Sequence, residues 1–535
     1  KISGQWNNVS YAAYVQDNWR ATHRLTLNLG LRWDGVPHTY EANQQSSNFY
    51  PNLYQPGLAA QINADGTINT ATTPAAAFGT SPNPLLAGIP FYTNGLGIGG
   101  KNGIPNGLVN NHWANFGPRI GFAYDLTGQG KTVVRGGFGI MYERVQGNDM
   151  YNGAVNPPGD LNPTLNNILF SNPASPGVIT SVSKDGVTYS PATLPVLPLG
   201  FTGINANNYK APVSYQFSIG VQQALGARSV LALSYVGSQD RHENDYAEVN
   251  LPALSELPAL VAGSAANINT LYGFAGYGAI RESENEANSH YNSLQIDLHS
   301  NIRKDLQLQF GYTLSRTIDA TTSNGSGGDL NNVTNPYVGW RYDIGPSQFD
   351  RTNVAFVNFV YQFPFLRDSS NRLLKSVAGG WSLSGIVTME SGAPLDLGIS
   401  GQTASSVIPN SGIRPNVTGP ISYPKTATQW FNPASFSAPA CLTGPDCYGN
   451  LGFDALRGPG RDDWNLSLFK SFVISEARGS RLELRFESFN TWNHTQFKGD
   501  KNNGGISTNF GATNFGQVTG AFDPREFQLG AKLYF

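Results

Sequence analysis

The sequence predicts an all-β fold, an antiparallel transmembrane β-barrel, on the basis of three observations. Segments of about nine to twelve residues alternate between apolar and polar side chains, so each strand has one apolar and one polar face. This length matches the roughly 9–11 residues with which a tilted strand crosses membrane hydrocarbon. Short turns alternate along the chain with connections of about 36 to 81 residues, an asymmetry typical of bacterial membrane barrels.

The composition supports strands over helices and excludes one class of partner. Charged residues make up only 13% of the chain, yet no apolar run reaches eighteen residues, so no transmembrane helix is predicted. The net charge of -2 provides no basic face for phosphates, which excludes nucleic acid as a partner. No signal-like segment follows Lys1, which indicates a processed protein or a fragment.

The last ten residues, 526–535, form the strand on which the barrel depends. Apolar side chains occupy every second position: Phe527, Leu529, Ala531, Leu533 and Phe535. The positions between them include Glu526, Gln528, Gly530 and Lys532. Chain ends usually fray, whereas the closing strand of a barrel must be held along its length. We therefore expect Phe535 to be part of the structure.

Twelve further strands are predicted in six hairpins. They lie near residues 9–34, 116–142, 213–237, 291–315, 353–390 and 463–489. Trp19 and Trp33 fall near strand ends, where membrane barrels place interfacial aromatic residues. The stretches 35–115 and 143–212 show no sustained period and are predicted to be loops.

The number of strands predicts that the barrel is larger than this chain. Bacterial single-chain barrels have an even number of strands, and an open edge in the bilayer leaves backbone groups unpaired. Thirteen strands cannot close in this way. Because the first strand leads into a short, periplasmic turn, it should be even-numbered, and nine earlier strands would make 22. We expect the chain to form the carboxyl-terminal part of a 22-stranded barrel with long extracellular loops.

The polar faces of the strands carry charges that indicate a wet interior. Burying such groups in a dry core would cost several kcal/mol per unpaired ion. A wide, water-filled lumen accepts them, and we expect them to form salt bridges there rather than to act directly in transport. The candidate lumen-facing charges are Arg32, Arg119, Arg135, Arg481, Glu483, Arg485, Glu487 and Lys532.

The only two cysteines, Cys441 and Cys447, lie close together in a segment rich in proline and glycine. Two thiols that close a small loop indicate a disulfide in an oxidising compartment such as the periplasm or cell surface. A pair of free thiols is the alternative. Without nearby histidines, the two cysteines do not complete a tetrahedral zinc site.

Two glycine-containing segments resemble nucleotide-binding motifs in part of their sequence but lack other features that such sites need. Residues 95–100 lack the preceding buried strand and following helix that a dinucleotide site requires, and Asp125 stands where the first glycine of a phosphate loop before Lys131 belongs. No carboxylate pair is placed for glycoside hydrolysis. We predict no catalytic residue, no metal site and no cofactor.

Two polar clusters and one aromatic cluster allow other interpretations. Glu282, Glu284 and Glu286 near His290 offer oxygen ligands to a hard cation, but a solvated loop end above the lipid is the favoured interpretation. The same holds for the second cluster, which comprises Asp240, His242, Glu243 and Asp245. The loop aromatics Tyr337, Trp340 and Tyr342 suit stacking on a ligand, although local loop packing is the simpler explanation.

Several of these segments resemble one receptor family. The run from Tyr14 to Trp19 followed by Leu25 to Arg32 looks like a hairpin of TonB-dependent outer-membrane receptors. Four later runs, together with the terminal Phe535, are similar to the Oar-like branch of that family. They span residues 430–436, 456–460, 465–472 and 485–494.

This resemblance implies a TonB-linked transporter in the outer membrane of a Gram-negative bacterium. In such proteins a plug fills the lumen, and TonB pulls on it with energy from the inner-membrane proton gradient. The sequence contains no plug and no TonB-contacting box, so the energised step is not visible in these residues. The implied partners are the lipid bilayer, the TonB system, an unknown ligand and the assembly machinery, which recognises a terminal aromatic such as Phe535.

The first functional hypothesis is therefore non-enzymatic uptake of a ligand captured by the extracellular loops. A passive pore or a surface-exposed structural or adhesive barrel is the main alternative. A soluble secreted β-protein such as a sugar-active enzyme is a third, and extraction without detergent would support it.

Overall fold

The computed structural model describes most of the chain. The described residues are 4–80, 90–144, 153, 155–157, 196–207, 209–320, 332–365, 371–399, 401, 403–475, 478–499 and 504–535. Within them, thirteen long strands form one antiparallel sheet in which each strand pairs with the next along the chain. The predicted all-β, antiparallel fold is confirmed at this level.

The long strands are labelled β1 to β13 in chain order. Their bounds are Tyr11–Arg20, Leu25–Gly35, Phe116–Asp125, Thr132–Tyr142, Val213–Ala224, Ser229–Glu248, Tyr277–Arg303, Leu306–Asp319, Asn353–Gln362, Trp381–Glu390, Arg461–Ser475, Ser480–Phe489 and Glu526–Tyr534. Two short strands join the same sheet: Leu199–Ile204 pairs in parallel with β7, and Gly345–Pro346 pairs with β8. In the described part of the chain, β1 pairs only with β2 and β13 only with β12.

The pairing register keeps apolar side chains on one face from strand to strand. One such row crosses β2 to β8 through Leu27, Phe122, Gly136, Ile219, Tyr235, Leu294 and Leu314. Large apolar side chains on this face are exposed, among them Ile219 at 54% and Leu529 at 80%. A continuous apolar surface of this kind requires an apolar environment, since soluble monomers rarely expose one. We call it the apolar face.

Aromatic rings lie directly over glycines at three places on the apolar face. The pairs are Gly136 with Phe122, Gly237 with Phe217, and Gly385 with Phe359. A Cβ atom at Gly385 would lie 2.4 Å from a ring carbon of Phe359, closer than such atoms approach. These glycines therefore let the cross-strand rings lie flat against the sheet.

Strands β6 and β7 are longer than the alternating pattern predicts. The sequence places their hairpin partners within 213–237 and 291–315, but β6 continues to Glu248 and β7 begins at Tyr277. The extra length projects past β5, whose residue Val213 pairs opposite Arg241. The parallel strand Leu199–Ile204, from the connection predicted to be a loop, covers the projecting part of β7.

The long connections also contain short elements. Further strands are Trp6–Asn7, Tyr40–Glu41, Ser47–Phe49, Phe78–Thr80, Pro90–Tyr92, Leu96–Ile98, Pro394–Leu395, Gly398–Ile399, Asn416–Val417, Phe436–Ser437, Leu456–Arg457 and Asn509–Phe510. Helices α1, α2 and α3 span Leu257–Val261, Arg372–Ala378 and Ala404–Val407. The 3-10 turns are Pro51–Leu53, Pro56–Leu58, Ala75–Ala77, Leu254–Glu256, Ile268–Thr270, Trp340–Asp343, Pro433–Ser435 and Gly444–Tyr448. No helix in the described residues has the length and apolar character to cross a membrane.

The long connections pack together into a cap at one end of the sheet. Three apolar clusters organise it, each drawing residues from different connections. One gathers Leu395, Leu397, Trp430, Phe431, Phe436, Leu451, Leu456, Ile506 and Phe515. The second gathers Phe49, Ala60, Ile68, Ala77, Tyr92, Phe201, Tyr277 and Ile280, and the third gathers Leu257, Ala404, Ile408, Ile413, Cys447 and Tyr448. The short turns lie at the opposite end of the sheet.

The glycines under aromatic rings predict a difference between two alanine substitutions. Gly385→Ala forces Phe359 from its position and should destabilise the protein by about 1–3 kcal/mol, the usual cost of overpacking. At Gly137, on the opposite face, an added Cβ meets no atom closer than 3.6 Å, so Gly137→Ala is the matched control. Chemical unfolding of both variants in the same lipid measures the difference. Equal midpoints for the two variants would contradict this account.

Candidate functional site

The face opposite the apolar one is the candidate functional surface, and we call it the polar face. One row crosses β1 to β7 through Gln16, Gly30, Arg119, Gly139, Gln216, Ser238 and Tyr291. A second crosses β8 to β13 through Gln307, Val360, Ser384, Ser467, Glu487 and Gln528. Because side chains alternate along every strand, the register that aligns the apolar face also aligns this one.

Glycines form a recess in the polar face across β2 to β4. Gly30, Gly121, Gly137 and Gly139 contribute no side chains, and the recess has a volume of about 630 Å³. A Cβ at Gly137 or Gly139 would make only ordinary contacts, at 3.6 Å or more, so close packing does not require these glycines. Their effect is to leave space in the wall. Arg119 lies beside this space.

A second concavity lies on the polar face between β6 and β12. It has a volume of about 930 Å³. Eight hydrogen-bonding side chains contribute to its lining: His299, Gln307, Gln309, Asn358, Ser384, Asn465, Ser467 and Glu487. His299 pairs with Asp297 at 2.7 Å on the same strand. A wall of amides and hydroxyls of this type holds water or polar solutes and offers many weak contacts rather than one tight site.

The charged run on β12 lies on the polar face and is partly neutralised within the wall. Arg485 Nη2 lies 2.6 Å from Glu483 Oε1. Lys532 stands directly opposite Glu483 in the ladder between β12 and β13. The Arg481 guanidinium lies 4.1 Å from the centre of the Tyr534 ring. Of these contacts, the one between Arg485 and Glu483 is an ion pair, and Glu487 lies opposite Gln528. The lumenal salt-bridging role stays a prediction.

The arginines at the other side of the sheet differ in their partners. Arg32 on β2 forms an ion pair with Asp34 at 2.8 Å. Arg119 and Arg135 also lie on the polar face, but neither forms an ion pair with a described residue. All eight candidate charges therefore occupy one face of the sheet, while their assignment to a lumen remains a prediction.

Charged residues interrupt the apolar face at several positions, and sequence reasoning passed over two of them within the strands, Lys470 and Asp17. Lys470 on β11 lies on the apolar face, opposite Trp381 and Leu484. Its ammonium group donates to the carbonyl of Gly379 and lies 4.7 Å from the Phe472 ring centre. Asp17 on the edge strand β1 faces the same side, opposite Leu29. In both cases the sequence shows a single charged residue where the alternation places an apolar one.

The position of Phe535 differs slightly from the prediction. β13 ends at Tyr534, whose ladder partner is Arg481, and Phe535 lies one residue beyond it with its side chain fully exposed. The backbone contact that would hold Phe535 in the sheet is therefore absent from the described residues. Its role as an assembly signal stays a prediction.

The prediction that the two acidic clusters are solvated is wrong for one member of each. Glu282 and Asp245 are only 4% and 2% exposed, because loop segments cover the projecting parts of β6 and β7. Irregularities between Arg241 and Asp245 also shift the pairing of β6 with β7 in this region. Glu284 is half-buried and accepts a hydrogen bond from Asn205 Nδ2. Of the remaining members, Asp240, His242 and Glu243 are half-buried within β6, and Glu286 is exposed.

Burial raises the pKa values of three carboxyl groups in the cap. The pKa of Asp245 rises from 3.8 to about 8 because of burial and the nearby Glu284 and Glu286. The pKa of Glu282 also rises to about 8, through burial and its neighbours Glu284 and Glu248. The pKa of Glu248 rises to about 7, mainly through burial, although it accepts backbone hydrogen bonds from Ile280 and Asn250.

The two cysteines form a disulfide within the cap. Cys441 and Cys447 close a loop with six residues of separation, and Cys447 packs in the cluster with Leu257 and Tyr448. The same sulfur atoms lie near Asp446, the one group of metal-ligand type found among the described residues. Because both sulfurs are joined to each other, they are not thiolates, so this group does not resemble a zinc site.

Two loop aromatics considered for ligand stacking are used in packing. The Tyr337 hydroxyl donates to the carbonyl of Pro252, and its ring lies edge-on to Tyr448. The Tyr342 ring lies 4.0 Å from the guanidinium of Arg414, which forms a buried ion pair with Asp343 at 2.6 Å. Trp340 is half-buried beside Arg341. These rings hold the connections together.

Comparison with protein families gives a match over almost the whole chain. The family described as the outer membrane beta barrel domain matches residues 2–528. A search of curated proteins gave no match.

Comparison with solved structures gives matches to transporters and receptors. The outer membrane transporter YddB from Escherichia coli is 10% identical, with a TM-score of 0.46, and the alignment covers 99% of this chain and 54% of that one. The ferric-catecholate import receptor Fiu from E. coli K12 is 12% identical, with a TM-score of 0.40 and coverage of 99% and 45%. The FrpB iron transporter from Neisseria meningitidis is 9% identical, with a TM-score of 0.41 and coverage of 99% and 46%. The chain thus spans about half the length of these proteins.

The buried carboxyl groups predict how the stability of the cap depends on pH. Folded Asp245 keeps its proton to about pH 8, whereas the unfolded group loses it near 4, so the folded cap binds more protons between these values. Its stability is therefore greatest below about pH 4, falls as pH rises towards 8, and then levels off, with a slope of about 1.4 kcal/mol per pH unit per proton. Asp245→Asn should make this fall shallower.

Hydrogen exchange of residues 243–250 and 277–287, corrected for intrinsic rates, measures the effect between pH 5 and 9. Asp523→Asn, at an exposed carboxyl group of the same cap, is the matched control and should leave the slope unchanged. An unchanged slope in Asp245→Asn would show that this carboxyl group does not titrate as described.

Proposed function

Because the chain belongs to the outer membrane beta barrel domain family, we propose that it forms part of a TonB-dependent transporter whose loops capture a ligand and whose polar face lines its path. One observation carries this proposal: the register gives the thirteen strands one mainly polar and one mainly apolar face. A bilayer on one side and water on the other is the environment that satisfies both faces.

The open packing of side chains on the polar face supports a role in transport rather than a purely structural role. Side chains on it leave two concavities rather than interlocking into a dry core. The ion pair between Arg485 and Glu483 is about one-third and one-sixth exposed, as expected in a wet wall. Small and hydrated groups along the wall would let a solute or an inserted segment move past it without trapping it.

The free edges of the sheet support a larger barrel. β1 and β13 each have one partner among the described residues, so each presents a row of backbone groups on its other side. Such groups cost several kcal/mol each when left unpaired in hydrocarbon. We infer that nine further strands lie between β13 and β1 in the intact protein and complete a 22-stranded barrel.

The packed cap supports ligand capture at the loop end. Its connections are held by three apolar clusters, the disulfide and the buried pair of Arg414 with Asp343. A cap fixed in this way presents a defined outer surface, which a receptor needs and a simple pore does not. The likeness of residues 430–436 and 485–494 to the Oar-like branch supports the same assignment.

Reconstitution of the intact protein distinguishes this proposal from a passive pore. We expect no steady KCl conductance in a planar bilayer, together with binding of the purified periplasmic domain of TonB. A steady conductance without TonB binding would contradict the proposal and favour the pore. In that case, Arg119→Glu with Arg135→Glu on the polar face should shift ion selectivity towards cations, whereas Lys425→Glu in an exposed loop should not.

A further inference from the structure

The turn end of the sheet carries a concentration of positive charge. The six short connections are 21–24, 126–131, 225–228, 304–305, 363–380 and 476–479. Together they contain eight lysines and arginines but only three acidic residues, in a chain whose net charge is -2. The basic residues are Arg24, Lys131, Arg228, Lys304, Arg367, Arg372, Lys375 and Arg478. The turn end is therefore more basic than the chain as a whole.

The described cations among these residues form a continuous exposed rim. Arg24, Lys131, Arg228, Lys304, Lys375 and Arg478 are all exposed. Neighbouring turns are joined by backbone hydrogen bonds, from Ala224 to Lys131 and from Asn301 to Arg228. The positive charges therefore follow the edge of the sheet from one turn to the next, and we call this surface the basic rim.

Helix α2 in the longest of these connections presents an exposed apolar side. Leu373, Leu374 and Val377 are 78%, 50% and 69% exposed. Their spacing places them on one face of the helix, while Lys375 and Ser376 lie on another. The Asn371 side chain caps the helix by accepting from the amides of Leu373 and Leu374.

The apolar side of α2 is continuous with the apolar face of the sheet. The Trp381 indole donates to the carbonyl of Val377, which fixes the helix beside the start of β10. Phe363 and Phe365 stack with ring centres 6.1 Å apart at the end of β9, and Phe365 is 64% exposed. The same membrane that covers the apolar face therefore reaches this helix.

Lys470 marks where the hydrocarbon ends on this side. Its stem lies on the apolar face, but its ammonium group reaches the carbonyl of Gly379 in the connection that holds α2. Long basic side chains near a membrane boundary place their charge at the headgroup level in this way. The basic rim and α2 thus lie at the depth of the headgroups.

We propose that the basic rim and α2 together form a binding surface for anionic phospholipid headgroups, with α2 lying in the membrane interface. Phosphate groups of the lipid pair with the rim cations, and the acyl chains contact Leu373, Leu374 and Val377. The combination of apolar area and positive charge is what strengthens binding of interfacial helices to anionic lipid. This inference rests on the turns facing the inner leaflet of the outer membrane, and on no property of a transported ligand.

Lipid titration of the intact protein in neutral detergent tests the charges. Dioleoylphosphatidylglycerol should bind more tightly than dioleoylphosphatidylcholine, measured by native mass spectrometry. Lys131→Gln with Arg228→Gln and Lys304→Gln should weaken phosphatidylglycerol binding about 100-fold, at about fivefold per charge, and added salt should reduce the wild-type preference.

The matched control removes the same number of charges from the loop end. Lys101→Gln with Lys210→Gln and Lys425→Gln changes three exposed lysines in the long connections and should leave the preference intact. Equal binding of the two lipids by the wild-type protein, or an equal loss in both triple variants, would overturn the proposal. Binding of a soluble acidic protein to the rim without a lipid preference would also overturn it.

A fluorescent label tests the position of α2 independently of charge. The two native cysteines of this chain are joined, so Leu374→Cys introduces a reactive thiol for an environment-sensitive dye. In nanodiscs, lipids carrying a nitroxide near the headgroup should quench this dye strongly. Lys425→Cys, in an exposed loop of the cap, is the control and should be quenched less. Equal quenching at the two sites would place α2 outside the interface and contradict the proposal.

Discussion

Pairing of backbone groups in an apolar environment is the constraint on which the whole structure depends. Each unpaired amide or carbonyl in hydrocarbon costs several kcal/mol, so strands in a membrane must pair along their full length. Full pairing fixes the register, and the register decides which face each side chain takes. The row from Leu27 to Leu314 and the row from Gln16 to Tyr291 are two results of the same ladder.

Outside the membrane, backbone groups can also pair with water, and the chain is no longer restricted to long paired strands. The cap is surrounded by water, and its connections fold as a soluble domain does, around apolar clusters with buried polar groups inside. Asp245 and Glu282 are buried there because loop segments cover strands that no longer meet lipid. The short turns at the other end differ in charge, with eight lysines and arginines but only three acidic residues.

The sequence predicted the sheet well because a strand with one apolar and one polar face has apolar and polar residues at alternate positions. Each alternating segment overlaps one of the thirteen strands, and all eight candidate charges lie on the polar face. It predicted the cap poorly, because strands covered on both sides lose that signal. The run from Arg281 to Glu286 looks solvated by composition, yet Glu282 is buried by Leu199–Ile204, which lies about 80 residues earlier in the chain. Lys470 was missed because a single charge within an apolar row is invisible to a periodic pattern.

The water accessibility of adjacent residues tests the central claim that the two faces meet different solvents. Ser218 and Ile219 are neighbours on β5, both exposed on the sheet, and they lie on the polar and apolar faces respectively. Single cysteines at these positions, in the intact protein embedded in lipid, are treated with a charged, membrane-impermeant thiol reagent. We expect the reagent to label Ser218→Cys, whose side chain faces water, and not Ile219→Cys, whose side chain faces lipid. Labelling of Ile219→Cys at the rate of an exposed loop cysteine would contradict it.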